Sequence, residues 1–285
     1  YLGNILLDHD FEVERSFRER GINRSVRFIS CSGIVKNEIL MKQIQAIMQL
    51  IQKEYEYPVD IEFTVNLSET GEYSVNLLQC RPLQVFKDTG KVKIPEHIPE
   101  ENIILENVHS SMGLSRNVKM DLIILVDPIA YYQMPYAKKT NVARLIGIVN
   151  WKNKGQNKHM LLMVPGRIGT SSPELGVPTT FADISEFEAI CEIEEKKAGY
   201  NPELSYGSHI FQDLVEAEIL YTAVFSNEKT MRFSPEKLAE YPDIVSQFTE
   251  DPELRQIVHV YDMSRGSCEL CNDLQSERLI LYLQR

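Results

Sequence analysis

Four polar side chains have the types and the spacing to do chemistry together: Asp60, Glu62, Gln79 and Arg81. The first two lie in Val59-Asp60-Ile61-Glu62-Phe63-Thr64-Val65-Asn66, where apolar and polar residues alternate without error. That is the pattern of a half-buried strand whose polar residues share one face. Ser68-Glu69-Thr70-Gly71-Glu72 reads as a turn and Tyr73 to Cys80 as a returning strand, closed by Arg81-Pro82 because proline cannot continue a central strand. If Asn66 pairs with Tyr73, Asp60 faces Gln79, Glu62 sits two residues along on the same face, and Arg81 extends that face. A slip of one residue would turn Gln79 to the other side. Carboxylate and amide oxygens converging in this way are what a hard cation such as Mg²⁺ takes, and Arg81 beside them is suited to phosphate oxygens that share the metal. The same residues also fit an ordinary solvated hairpin face.

The elements around this hairpin are readable from periodicity. Asn37 to Tyr55 has helical spacing in Leu40, Ile44, Ile47, Met48 and Ile51, and Pro58 follows it. Lys87 to Glu101, with Gly90, Pro95 and Pro99 among charges, reads as a linker. Beyond it, Asp121 to Val126, Leu161 to Val164 and Ala189 to Ile193 are short apolar runs with the character of buried strands. A helix is expected over His209 to Phe225, and late strands over Val258 to Tyr261 and Leu279 to Leu283. Strands and helices mix throughout, so the fold class is α/β or α+β.

Composition bounds the rest. The chain has 285 residues, 43% of them hydrophobic and 25% charged, with a net charge of −11. These figures exclude disordered, collagenous and disulfide-scaffold classes. The acidic balance argues against nucleic acid as a partner while allowing a local basic pocket for a small phosphate. No apolar run reaches membrane-spanning length, and five cysteines without scaffold spacing point to the cytoplasm. Cys268 and Cys271 form a lone CxxC, which reads as two ordinary thiols, with a redox or metal pair as the alternative. The first residue is Tyr1 rather than Met.

The helix before Pro58, the Asp60-Ile61-Glu62-Phe63 strand and Leu78-Gln79-Cys80-Arg81-Pro82 together resemble the end of the ATP-grasp domain of the phosphoenolpyruvate synthase and pyruvate phosphate dikinase family. The resemblance covers about residues 37 to 86. It implies the C-terminal part of an ATP-grasp nucleotide-binding domain over residues 1–90, and a second α/β domain over 91–285 in the position of the family's swivelling domain. It further implies that Glu62 and Gln79, with Asp60 nearby, hold Mg²⁺ on ATP, and that Arg81 lies beside the phosphates. The family's glycine-rich loop and upstream basic residues have no counterpart in Tyr1 to Gly33. The expectation is therefore that the residues before Tyr1 are the phosphate-gripping half of the ATP site, the missing partner of this half.

In the same family the swivelling domain carries a phosphorylated histidine in a glycine-rich segment ahead of an E-L-G-I-P-like sequence. Here Gly166 to Pro178 has a similar frame, with Glu174-Leu175-Gly176-Val177-Pro178, but contains no histidine. A hydroxyl such as that of Thr170 or Ser171 cannot replace an imidazole without a base to activate it. The segment reads either as an anion cradle to which Arg167 adds charge, or as a long turn with hydroxyl caps. His209, in Gly207-Ser208-His209 before the expected helix, is the alternative phosphoacceptor; its plain reading is a first-turn residue behind a Ser208 cap. Two functions follow. One is a fragment of an ATP-dependent phosphotransferase with Mg²⁺ and ATP as cofactors and an unknown acceptor; the other is an ATP-binding regulatory module without turnover.

Overall fold

A computed structural model describes residues 7–30, 32–68, 72–82, 92–195, 204–205, 209–225 and 229–284, with the side chains of Glu12, Leu67, Pro82 and His209 outside that description. The chain divides into two compact units, Tyr1–Val85 and Phe86–Arg285.

In the first unit, strands β1 (Leu7–His9) and β2 (Arg27–Ile29) pair antiparallel on either side of helix α1 (Phe11–Glu19). The Asp10 carboxylate caps α1 by accepting from Val13 N at 3.0 Å. After the short α2 (Ser32–Val35) comes α3 (Glu38–Tyr55), capped by the Asn37 side chain, which accepts from Leu40 N at 3.1 Å. Leu40 and Ile44 are its buried residues. Glu56 ends α3 in the left-handed region at φ 53°. The chain then enters the hairpin of β3 (Val59–Leu67) and β4 (Tyr73–Pro82), with α3 packed on β3. The expected turn lies partly outside the described residues. The returning strand runs on through Arg81 to Pro82, because Pro82 stands at the strand end opposite Val59, where its missing N–H costs little.

The second unit has two sheets. One is antiparallel, in the order β12 (Thr230–Phe233), β5 (Ile103–Val108), β15 (Arg278–Gln284), β14 (Ser267–Asp273), β7 (Arg116–Lys119). The other runs β13 (Val258–Asp262), β8 (Leu122–Val126), β9 (Met160–Pro165), β10 (Ala189–Ile193), β11 (Leu220–Val224), β6 (Ser111–Met112), with β8 to β11 parallel and antiparallel strands at both edges. One core cluster fills the space between the sheets and includes Ile123, Leu161, Cys191, Leu105 and Leu281. Another covers the opposite face of the parallel sheet with helices α4 (Pro128–Gln133), α5 (Lys139–Asn153) and α6 (His209–Glu216), through Tyr131, Ile146 and Leu214. The short α7 (Leu254–Ile257) leads into β13. The parallel strands are thus buried on both faces, which is why they read as unbroken apolar runs.

Two expectations are corrected. The helix expected over 209–225 stops at Glu216. Glu218 takes φ 56°, Ile219 N returns to Leu214 O at 2.9 Å, and the β-branched and aromatic run that follows becomes β11. The linker expected over 87–101 lies outside the described residues up to position 91. Beyond it, Val92, Ile94 and Ile98 pack on the cluster of Ile103, Cys271, Ile280 and Tyr282 and so belong to the second unit. Cys268 and Cys271 sit in different core clusters, on opposite sides of β14, so they cannot join each other or share a metal. Burial pushes both thiols up, that of Cys271 to about 11. Among the described residues no helix is long and apolar enough to cross a membrane.

Candidate functional site

The hairpin brings the four polar residues together, in a register different from the expected one. Leu67 pairs with Tyr73, Asn66 with Ser74, and so on to Phe63 with Leu77. The register then shifts, and Glu62 pairs with Gln79, Ile61 with Cys80 and Asp60 with Arg81. The expected pairing of Asp60 with Gln79 is therefore wrong: a bulge leaves Leu78 as the extra residue, 63% exposed. Without it Glu62 would face Leu78, and the amide and guanidinium of β4 would turn away from the carboxylates of β3. The bulge restores the parity that makes one polar face.

On that face, Arg81 Nε lies 3.6 Å from Asp60 Oδ2, with side chains 21% and 39% exposed. A pair this open to solvent is worth little by itself. A double-mutant cycle on Asp60→Ala and Arg81→Ala is expected to give a coupling of only about 0.2–1 kcal/mol in unfolding free energy. The pair serves to set charge. Asp60 holds the guanidinium on the same face as Glu62 and Gln79, and Arg81 claims one of the Asp60 oxygens.

The donor set fits Mg²⁺ in one particular way. Glu62 and Gln79 face each other with hard oxygen donors. Among the described residues, however, there is no group of three or more His, Cys, Asp or Glu able to hold a metal. Among those residues no complete protein cage is present, and Mg²⁺ does not want one. It keeps waters and takes one or two carboxylates plus phosphate oxygens.

In the second unit, Arg167 and His209 are carried by neighbouring elements. The loop of residues 166–178 follows β9 and folds back on itself, with Arg167 N donating to Leu175 O at 2.9 Å and Gly169 N to Val177 O at 3.0 Å. Gly169, at φ 70°, lies so close to the first turn of α6 that an added Cβ would be 2.3 Å from Ile210 Cδ1. His209 begins α6; its side chain lies outside the described residues, as does the expected cap Ser208. Four N–H groups at the start of the loop already have acceptors: Gly166 N on Ile193 O at 2.9 Å, Ile168 N on Glu192 Oε1 at 2.8 Å, and the two just named. Thr170 Oγ1 accepts from Ser172 N at 3.1 Å, a turn-type bond. These bonds favour the long-turn reading of the loop.

The loop is held by a residue that sequence reasoning overlooked. Glu192 is fully buried in β10, and its carboxyl group accepts four hydrogen bonds: from Ile168 N at 2.8 Å, Ser205 N and Tyr221 Oη at 2.7 Å each, and the Ser205 hydroxyl. It ties together the loop after β9, the segment before α6, and β11. Burial pushes its carboxyl above the usual carboxylate range, against the pull of those hydrogen bonds. The available signal was one acid inside the otherwise apolar run Ala189-Ile190-Cys191-Glu192-Ile193. The loop's own closure depends on Gly176, where an added Cβ would lie 2.0 Å from Arg167 O. Gly176→Ala is expected to destabilise the protein by about 1–3 kcal/mol in a denaturant titration, since backbone cannot swing aside as a side chain can.

Residues 11–102 match a family model described as pyruvate phosphate dikinase, AMP/ATP-binding domain. The match takes in α1, α3 and the whole hairpin and ends at Asn102. Comparison with the curated proteins and with the solved structures gives no match.

Proposed function

From the match of residues 11–102 to the pyruvate phosphate dikinase AMP/ATP-binding domain, we propose that the chain is part of an ATP-dependent phosphotransferase resembling phosphoenolpyruvate synthase and pyruvate phosphate dikinase. The observation that carries the proposal is the bulged register that sets Glu62 opposite Gln79 and Asp60 opposite Arg81. In this reading the Glu62 carboxylate and the Gln79 amide oxygen hold Mg²⁺ on the ATP phosphates, with Asp60 beside them. Bound there, the cation would supply charge neutralisation in phosphoryl transfer. Arg81 donates to phosphate oxygens and is kept in place by Asp60. The remainder of the ATP site comes from the other half of an ATP-grasp domain. In the second unit, Arg167 offers a cation to a phosphoryl group and His209 an acceptor imidazole. The setting is cytoplasmic.

One observation favours a second reading, a nucleotide-binding regulatory module without turnover. The loop of residues 166–178 has no histidine, and the N–H groups of residues 166 to 169 already have acceptors. Calorimetric titration of the full-length parent with ATP, with and without Mg²⁺, separates these proposals from a protein that binds no nucleotide. Steady-state ATP hydrolysis by the full-length parent then separates enzyme from module, this chain alone being expected to be inactive. Saturable, Mg²⁺-dependent binding supports the common part of both; no binding in either condition overturns it.

A further inference from the structure

The five arginines Arg15, Arg18, Arg20, Arg24 and Arg27 fall within thirteen positions of a chain whose net charge is −11. All five are exposed. Three of the nearby acids are committed elsewhere: Asp8 accepts from Ser32 Oγ at 2.6 Å, Asp10 caps α1, and Glu14 Oε1 takes Ser25 Oγ at 3.1 Å, Val26 N at 3.0 Å and His9 Nδ1 at 2.9 Å; Glu19 is exposed between Arg18 and Arg20. Among the described residues none of the five guanidinium groups forms an ion pair. Five arginines outside any ion pair in an acidic protein are an electrostatic feature that the fold does not require.

Local structure gathers two of them into a cleft. Glu14 anchors Ser25 and Val26 against α1, which brings Arg24 to the side of the helix where Arg18 stands one turn beyond Glu14. Arg18 Nε leans on Glu14 O at 3.4 Å. Glu14, Arg18, Asn23, Arg24 and Ser25 line a cleft of 120 Å³, about four waters' share of liquid volume and the scale of one tetrahedral oxyanion. The lining carries two guanidinium groups and an amide against one carboxylate, whose oxygen already accepts from the Ser25 hydroxyl, Val26 N and His9. Guanidinium pairs are the groups best shaped for bidentate bonds to phosphate oxygens.

We propose that the cleft between Arg18 and Arg24 binds a phosphoryl group, at a site that shares no residue with the hairpin and needs no metal. Arg18 and Arg24 grip the oxygens and the Asn23 amide adds a further donor, while Ser25 stays bonded to Glu14. The ligand class is a small phosphate or diphosphate ester.

The test is calorimetric titration of the full chain with pyrophosphate in EDTA, which removes any metal-dependent binding and so leaves the nucleotide proposal unaffected by the outcome. Saturable binding is expected, weakening as salt is raised, and falling about tenfold or more in the Arg18→Gln/Arg24→Gln variant. Lys42→Gln, which removes an exposed charge from α3, is expected to leave it unchanged. Matching thermal melts of the variants would show that folding is intact, and if the double variant melts early, Arg24→Lys replaces it, with partial retention expected because a point charge loses only the bidentate geometry. No saturable binding, equal binding by wild type and double variant, or an equal loss in Lys42→Gln overturns the proposal. So does affinity that grows with the length of a single-stranded RNA while pyrophosphate fails to saturate, since that is the behaviour of a macromolecular surface.

Discussion

Glu192→Ala is expected to lower the stability of the second unit by about 3–5 kcal/mol, read as a drop of roughly 6–20 °C in thermal unfolding. The substitution leaves Ile168 N, Ser205 N and Tyr221 Oη buried without the acceptor they now share. It also releases the loop after β9 from the segment before α6. Glu192→Gln tests the charge separately, because it keeps the shape and one acceptor oxygen. The sign of the pH dependence follows from burial, which raises the folded-state pKa of Glu192 above its ordinary value. The folded state therefore holds the proton more tightly than the unfolded chain. The resulting stability is fully present below the ordinary carboxylate range and is lost as pH rises through the raised value. Protonation would reverse one bond: Ser205 Oγ lies 3.2 Å from Ile168 O, so its hydroxyl can turn to donate there and accept the Glu192 proton instead of donating to the carboxylate. Urea titrations across pH are expected to show this decline in the wild type and its absence in Glu192→Gln. A flat profile in both proteins would remove the proton from the account and leave only the packing.

Glu62→Ala is expected to weaken Mg²⁺-dependent ATP binding by about 10–100-fold, the value of one lost charge-assisted ligand. The metal-free affinity for nucleotide is expected to change far less, because the carboxylate itself repels phosphate. Folding should be nearly unaffected, since Glu62 lies on the half-exposed polar face of the hairpin and not in its packing. Gln79→Ala is expected to act in the same direction with a smaller loss, as a neutral amide oxygen is a weaker donor than a carboxylate. Equal losses with and without Mg²⁺ in Glu62→Ala would indicate a disturbed hairpin rather than a lost metal ligand.

How far the sequence could be read depended on how local each signal was. The alternation from Val59 to Asn66 needs no tertiary information, and it gave both the strand and the face that carries Asp60 and Glu62. The partner of each residue was not legible. A bulge adds one residue to β4, and only the folded ladder shows where that residue sits. Ala189 to Ile193 was readable because a parallel strand buried on both faces is apolar without interruption, yet the same run hid Glu192, whose partners Ser205 and Tyr221 are distant in sequence. Helix α5 escaped notice although Val142, Leu145, Ile146 and Val149 have helical spacing, because its buried Lys139, Asn150 and Asn153 dilute the apolar stripe. Strand β14 is hard to read because polar and apolar residues do not alternate cleanly along Ser267–Asp273. Cys268 and Cys271, three apart, fall on opposite faces of a strand, whereas on a helix they would have been neighbours. The second-unit site residues were the least legible, since the relation of Arg167 to His209 depends on a loop of residues 166–178 closing against the first turn of α6.

The central proposal is that the bulged hairpin holds a divalent cation on nucleotide phosphates. Paramagnetic broadening tests it most directly: Mn²⁺ replaces Mg²⁺ in the presence of ATP, and backbone amide signals of the full chain are followed residue by residue. The account predicts selective broadening at Asp60, Glu62, Gln79 and Arg81 that depends on ATP and is lost in Glu62→Ala. Broadening centred elsewhere in the chain, or none at the hairpin with ATP present, would contradict it.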